Sequence, residues 1–164
     1  MTYSVAGARA KIDDPGATLA QVHDWAARHN AEVAVADSRA VFGADHVHTA
    51  ALHALRAQAA DTMVSHSLAM ETLRYLAAKR QVADAIRVAG IRQGTRAVAV
   101  VLFASEAIDD LLKCTGWARD DSVLELGGKN LEVLGVTKDE TSTIPIERQG
   151  DLVLEKVALL DALR

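Results

Sequence analysis

The sequence predicts an α/β chain of the α+β kind: a mixed sheet of about four strands packed with several helices in a single domain. Three observations carry this. Segments with apolar residues at the helical period alternate with short segments that are alternating or wholly apolar. Of the 164 residues, 50% are hydrophobic and 24% charged. A chain of this length buries roughly 68–70% of its unfolded surface, enough for one core without metal or disulfide staples. No internal repeat or low-complexity stretch interrupts the pattern.

Tyr3 to Ile12 alternate loosely and read as an opening strand that ends at Asp13-Asp14-Pro15-Gly16. Thr18 stands where an N-cap belongs ahead of Leu19, Val22, Trp25 and Ala26, a helical stripe ending near His29-Asn30. Ala31 to Asp37 reads as a second, short strand. Asp45 heads a helix carrying Val47, Ala50, Ala51, Ala54 and Leu55 to about Ala60. Ser67 is the N-cap of the next helix, in which Met70, Leu73, Leu76 and Ala77 share a face; Glu71 lies one residue beyond the capping-box position. After Lys79-Arg80, the residues Val82, Ala85, Ile86 and Ala89 mark a short helix with Gly90 at its C-cap.

Residues 97–103 are apolar throughout, as a strand buried on both faces is, and this run is the expected centre of the sheet. Glu106 to Lys113 reads as helix, Ser122 to Leu126 fits either class, and Asn130 to Leu134 suits a helical turn. Residues 137–149 form a loop-rich stretch around Pro145, and a final helix begins near Asp151.

Eighteen Lys and Arg against 22 Asp and Glu give a formal charge of -4, so the molecule as a whole has no general attraction to nucleic acid or anionic membrane. The lone cysteine, Cys114, excludes an internal disulfide and a cysteine zinc set, and suits a reducing cytosol. The first ten residues show neither a basic flank before a long apolar core nor a bilayer-spanning run, so a cytoplasmic protein is expected.

No catalytic set assembles along the chain. Of His46, His48 and His53, the first two point about 200° apart on a helix, and no H-E-x-x-H accompanies them. Gly127-Gly128-Lys129 resembles the end of a phosphate-binding loop, but the leading glycine and the final hydroxyl residue are missing, so a turn is expected. Ser65-His66-Ser67 has no strand-to-helix elbow to expose a nucleophile. Asp13-Asp14 and Asp120-Asp121 are of the kind that cap helices or sit in turns.

Charge and hydrophobicity say more. Residues 67–96 hold Arg74, Lys79, Arg80, Arg87, Arg92 and Arg96 against Glu71 and Asp84, a basic island of +4 in a remainder of -8. Such an island can hold phosphates while the acidic remainder discourages long duplex, although a solvated helical hairpin would look the same. Tyr75 could offer a stacking face or lie in the core. In the C-terminal helix, Val153, Val157 and Leu160 form one stripe and Leu152, Leu159 and Leu163 another. The combined arc is about twice that of an ordinary surface helix, so either the domain buries it on several sides or one stripe awaits a partner.

The run from Ser67 to Val82, with Ala85-Ile86 and Gly90-Ile91, resembles the CGI-121 family, the small kinase-binding subunit of the KEOPS complex that makes threonylcarbamoyladenosine in transfer RNA, in its archaeal type. Residues 121–125 and 153–160 agree. The resemblance implies that residues 1–164 are one kinase-binding regulatory domain without catalytic residues, cofactor or metal. Its expected partners are the small atypical kinase, tRNA through the 3′ CCA end, and the other subunits indirectly. On that basis Arg74, Lys79, Arg80 and Gln81 are the expected RNA contacts, with cations on phosphates and Gln81 on a base or sugar. Val153, Val157, Leu160 and Leu163 are the expected kinase contacts. The chain departs from the family in the alanine-rich segment 50–60 and in the longer loop from Thr137 to Gly150. A small histidine-dependent metal hydrolase and a free-standing RNA-binding domain are the alternatives.

Overall fold

The computed structural model describes residues 1–163. The opening alternation folds as strand β1 (Ser4–Arg9), and the chain then turns into helix α1 (Pro15–Arg28). This helix starts three residues earlier than Thr18 for a local reason. Asp14 accepts a hydrogen bond from the Ala17 N–H, and Pro15 has the fixed φ that suits a first helical turn. Strand β2 (Glu32–Asp37) is followed by a 3-10 turn at Ser38–Ala40 and by helix α2 (Ala44–Ala59). Gly43, with φ of 110°, takes the N-cap position of α2 in place of Asp45. Helices α3 (Leu68–Ala77) and α4 (Val82–Ala89) lie where the helical period placed them, and Ser67 caps α3 by accepting from the Met70 N–H.

Strand β3 (Ala97–Phe103) is buried along its whole length and central, in the order β2-β3-β1-β4. Helix α5 (Ile108–Thr115) leads into β4 (Ala118–Arg119), an exposed two-residue edge with too few residues to show a period. All pairings are antiparallel, with Ser4 opposite Leu102 and Glu32 opposite Phe103. The expected mixture of directions is corrected here: β1 and β2 run the same way, but β3 lies between them and pairs with both. The α+β class and the number of strands stand as read.

Because side chains alternate across a strand, β3 serves two cores. Val98, Val100 and Leu102 face α1 and α5 through Val22, Trp25, Ile108 and Leu111. Ala99, Val101 and Phe103 face α2, α3 and the C-terminal helix. Ala50, Ala51 and Ala54 of the alanine-rich segment are fully buried, small side chains that let α2 lie close to its neighbours. Gly7 shows the same crowding: a Cβ there would lie 2.7 Å from both the Asp120 carbonyl and Val123. Gly90 ends α4 with an ordinary φ of -68°, and is required instead because a Cβ would collide with the Ile86 carbonyl.

The remaining chain forms 3-10 turns at Asp121–Leu124 and Leu131–Leu134, helix α6 (Lys138–Ser142), and helix α7 (Gln149–Ala162). The stretch read as loop thus contains α6, which buries nothing and is held by a reciprocal Thr137 and Glu140 capping box. A third small core of Phe42, Leu131, Leu134, Val136 and Val153 fastens this segment to the domain. Among the described residues, no helix is long and apolar enough to cross a membrane.

Candidate functional site

The basic segment becomes a tight turn between α3 and α4. Ala78 ends α3 in the left-handed region, at φ 51° and ψ 42°, a conformation that a β-carbon disfavours. The N–H groups of Ala78 and Lys79 close the turn onto the carbonyls of Tyr75 and Arg74. Arg74 holds it from beneath. Its Nε donates to the Arg80 carbonyl at 2.7 Å, and its Nη1 meets Glu71 Oε1 at 2.8 Å.

Glu71 is fully buried and accepts from the Ser65 N–H at 3.0 Å and the Ser65 hydroxyl at 2.7 Å. Burial alone would raise its pKa, but the Ser65 hydrogen bonds and the Arg74 guanidinium hold it below the ordinary glutamate value. The expectation that Arg74 touches RNA is corrected by this geometry. At 3% exposure its charge is turned inward onto Glu71, and it shapes the loop that presents Lys79, Arg80 and Gln81.

Those three residues line an open groove of about 680 Å³. Lys79 is half-buried, while Arg80 and Gln81 are exposed. The opposite wall is α7, which contributes Lys156, Leu159 and Leu160, with its C-cap residue Leu163. Lys156 lies 3.6 Å from Glu140. Lys79, Arg80 and Gln81 of the set expected on RNA and Leu160 and Leu163 of the set expected on the kinase therefore share one groove.

Three of the four α7 residues expected to face a kinase belong to the domain's own core. Val153 and Val157 are fully buried, and Leu160 is 5% exposed. Burial of Val153, Val157 and Leu160 sets the rotation of α7, and Asp161 adds polar contacts on the same side, meeting His53 Nδ1 and the Tyr75 hydroxyl, each at 2.5 Å. Leu159 and Leu163 are left 43% and 59% exposed. Tyr75 is itself a core residue with its hydroxyl on Asp161.

The histidines of α2 hold structure together. His46 Nδ1 accepts from the Phe42 N–H at 3.1 Å, which places the proton on Nε2 for the Leu76 carbonyl at 3.0 Å. Burial pushes its pKa down to about 4. His48 meets the Tyr3 hydroxyl at 3.0 Å. Among the described residues, no group of three or more His, Cys, Asp or Glu side chains is placed to hold a metal ion.

Gly127-Gly128-Lys129 is a turn, as read. Gly128 has φ of 75°, and Lys129 Nζ donates to the Val41 and Val123 carbonyls at 2.6 Å each. Burial brings that ammonium down to a pKa of about 8. Asp14 and Asp120 each accept from a backbone N–H at the start of a turn of helix. Sequence reasoning missed Lys156 and Asp161. Nothing local marks either, because both matter only through residues distant in the chain. The Glu71 and Arg74 pair had a signal in its three-residue spacing.

An α+β domain with an open groove that has cations on both walls and leucines along α7 has the architecture of a binding module. A family model for kinase binding protein CGI-121 matches residues 5–143, and the chain belongs to that family. Comparison with curated proteins gives no match.

Proposed function

We propose that this chain is the non-catalytic accessory subunit of the KEOPS complex, binding its small kinase and bringing transfer RNA in by the 3′ CCA end. The observation that carries the RNA half is the groove. Lys79, Arg80 and Lys156 offer positive charge for phosphates, and Gln81 offers an amide for a base or sugar. A single-stranded end suits such a groove better than a duplex, because its bases are free to leave the stack.

The kinase half rests on the family, and its docking face is the exposed end of α7 at Leu159 and Leu163. RNA on the cationic wall would then lie beside the kinase. The exposed leucines also favour this reading over a free-standing RNA-binding domain, which would cover both stripes of α7. The engagement of His46, His48 and His53 with Leu76, Tyr3 and Asp161 disfavours the hydrolase.

The test is the affinity of the purified chain for transfer RNA with and without its CCA end, at two salt concentrations. Trimming the end is expected to weaken binding sharply. Arg80→Glu is expected to weaken the intact RNA and to reduce the slope of log affinity against log salt by about 1. Equal affinity for the two RNAs, with an unchanged slope in R80E, would leave the groove without this role.

A further inference from the structure

A second cationic cleft lies at the other end of α4. It has a volume of about 330 Å³ and is bordered by Arg39, Arg87 and Arg92, with Val88 and Val133 as its apolar part. These arginines come from three separate places: the 3-10 turn after β2, the last turn of α4, and the loop before β3. The cleft is pre-organised. Asp37, only 2% exposed, accepts from the Arg39 Nε at 3.2 Å and Nη2 at 2.7 Å, and from the Thr95 hydroxyl at 2.8 Å. That leaves the Arg39 Nη1 amino group for a ligand.

Arg92 Nη2 donates to the Arg87 carbonyl at 3.0 Å, and its Nε lies 4.0 Å from Asp37. Arg87 is exposed, and among the described residues its guanidinium pairs with the rim carboxylate of Asp84, at 3.3 Å. Three guanidiniums thus border the cleft with Asp37 as its one buried carboxylate, and guanidinium groups in fixed positions suit the oxygens of a phosphate.

The cleft and the groove are bordered by neighbouring residues of the same two elements. Asp84 borders the groove and Arg87 the cleft, three residues apart on α4, about 5 Å along its axis. On the facing 3-10 turn, Leu134 borders the groove and the adjacent Val133 the cleft. We infer that this arginine cleft takes a backbone phosphate of the same RNA, upstream of the end held in the groove. The inference rests on the proposed RNA role and extends it: the groove holds the terminus, and the cleft sets the direction in which the strand leaves it.

Arg87→Glu tests this, since Arg87 supports no buried group. The probes are a CCA trinucleotide, which occupies the groove alone, and an acceptor-stem hairpin carrying a CCA end, which is long enough to reach both. The variant should keep the parent's thermal midpoint and its affinity for the trinucleotide. For the hairpin it should lose affinity several-fold, with the salt slope reduced by about 0.7 to 1. Hairpin binding with the parent's affinity and slope would overturn the inference while leaving the groove reading intact. Retained RNA binding with loss of kinase binding would overturn it in favour of an acidic protein segment. Failure of the parent chain to bind either RNA would remove the RNA reading itself, and the cleft assignment with it.

Discussion

His46 is 1% exposed and uses both ring nitrogens, joining the start of α2 to the end of α3. Its pKa of about 4, against 6.5 for an unperturbed ring, makes it a source of acid sensitivity. The neutral ring is the folded form, so its contribution is complete above pH 6.5. As the pH falls from 6.5 to 4 the unfolded chain takes up a proton that the folded chain refuses, and about 3 kcal/mol is lost. Urea unfolding at several pH values in that window checks this. His46→Leu should be less stable at pH 7, because the Phe42 N–H and Leu76 carbonyl lose their partner at about 1–3 kcal/mol for each group. It should also lack the slope between pH 6.5 and 4.5, and a slope equal to the parent's would assign the titration elsewhere. Glu71 acts lower: its pKa is held below 4.5, so its share is present above that value and is lost only as pH falls further.

At the scale of one helix, α7 divides into a structural side and a contact side. Leu160→Ala should cost about 2–5 kcal/mol, as buried leucine truncations do. Leu163→Ala should stay within about 0.5 kcal/mol of the parent. Leu163→Arg should fold with an unchanged thermal midpoint and fail to co-purify with the kinase. An L163R chain that still captured the kinase would move the docking face away from this end of α7. The difference between neighbouring leucines follows from the buried stripe of Val153, Val157 and Leu160, with Asp161 tied to His53 and Tyr75 on the same side. The same reasoning covers the α3 to α4 turn, where buried Arg74 sets the backbone and exposed Arg80 is available to a ligand.

Across the whole molecule, a basic island in a chain of net charge -4 favours selective rather than general RNA binding. Groove and cleft gather Lys79, Arg80, Arg39, Arg87 and Arg92 along α4. A blunt RNA duplex of acceptor-stem length should therefore bind about tenfold more weakly than the same stem with a CCA overhang, about the worth of one good hydrogen bond to a base. Equal affinities would mean that phosphate attraction alone operates.

Much of the fold was legible because it is locally encoded. The apolar run 97–103 marked the central strand, Ser67 marked the start of α3, and the 3.6-residue stripes located six of the seven helices among the described residues, within a few residues at their ends. The seventh, α6, buries nothing and so leaves no stripe to read. By itself the sequence determined the α+β class, the basic island and the surplus apolar arc of α7, since composition and period depend only on near neighbours. Only the tertiary structure decided that β3 separates β1 from β2, that Arg74 faces inward, and that Leu160 is core while Leu163 is surface. Each of these depends on contacts between residues far apart in the chain, as with Asp161 on His53 and Tyr75, and no local pattern records them.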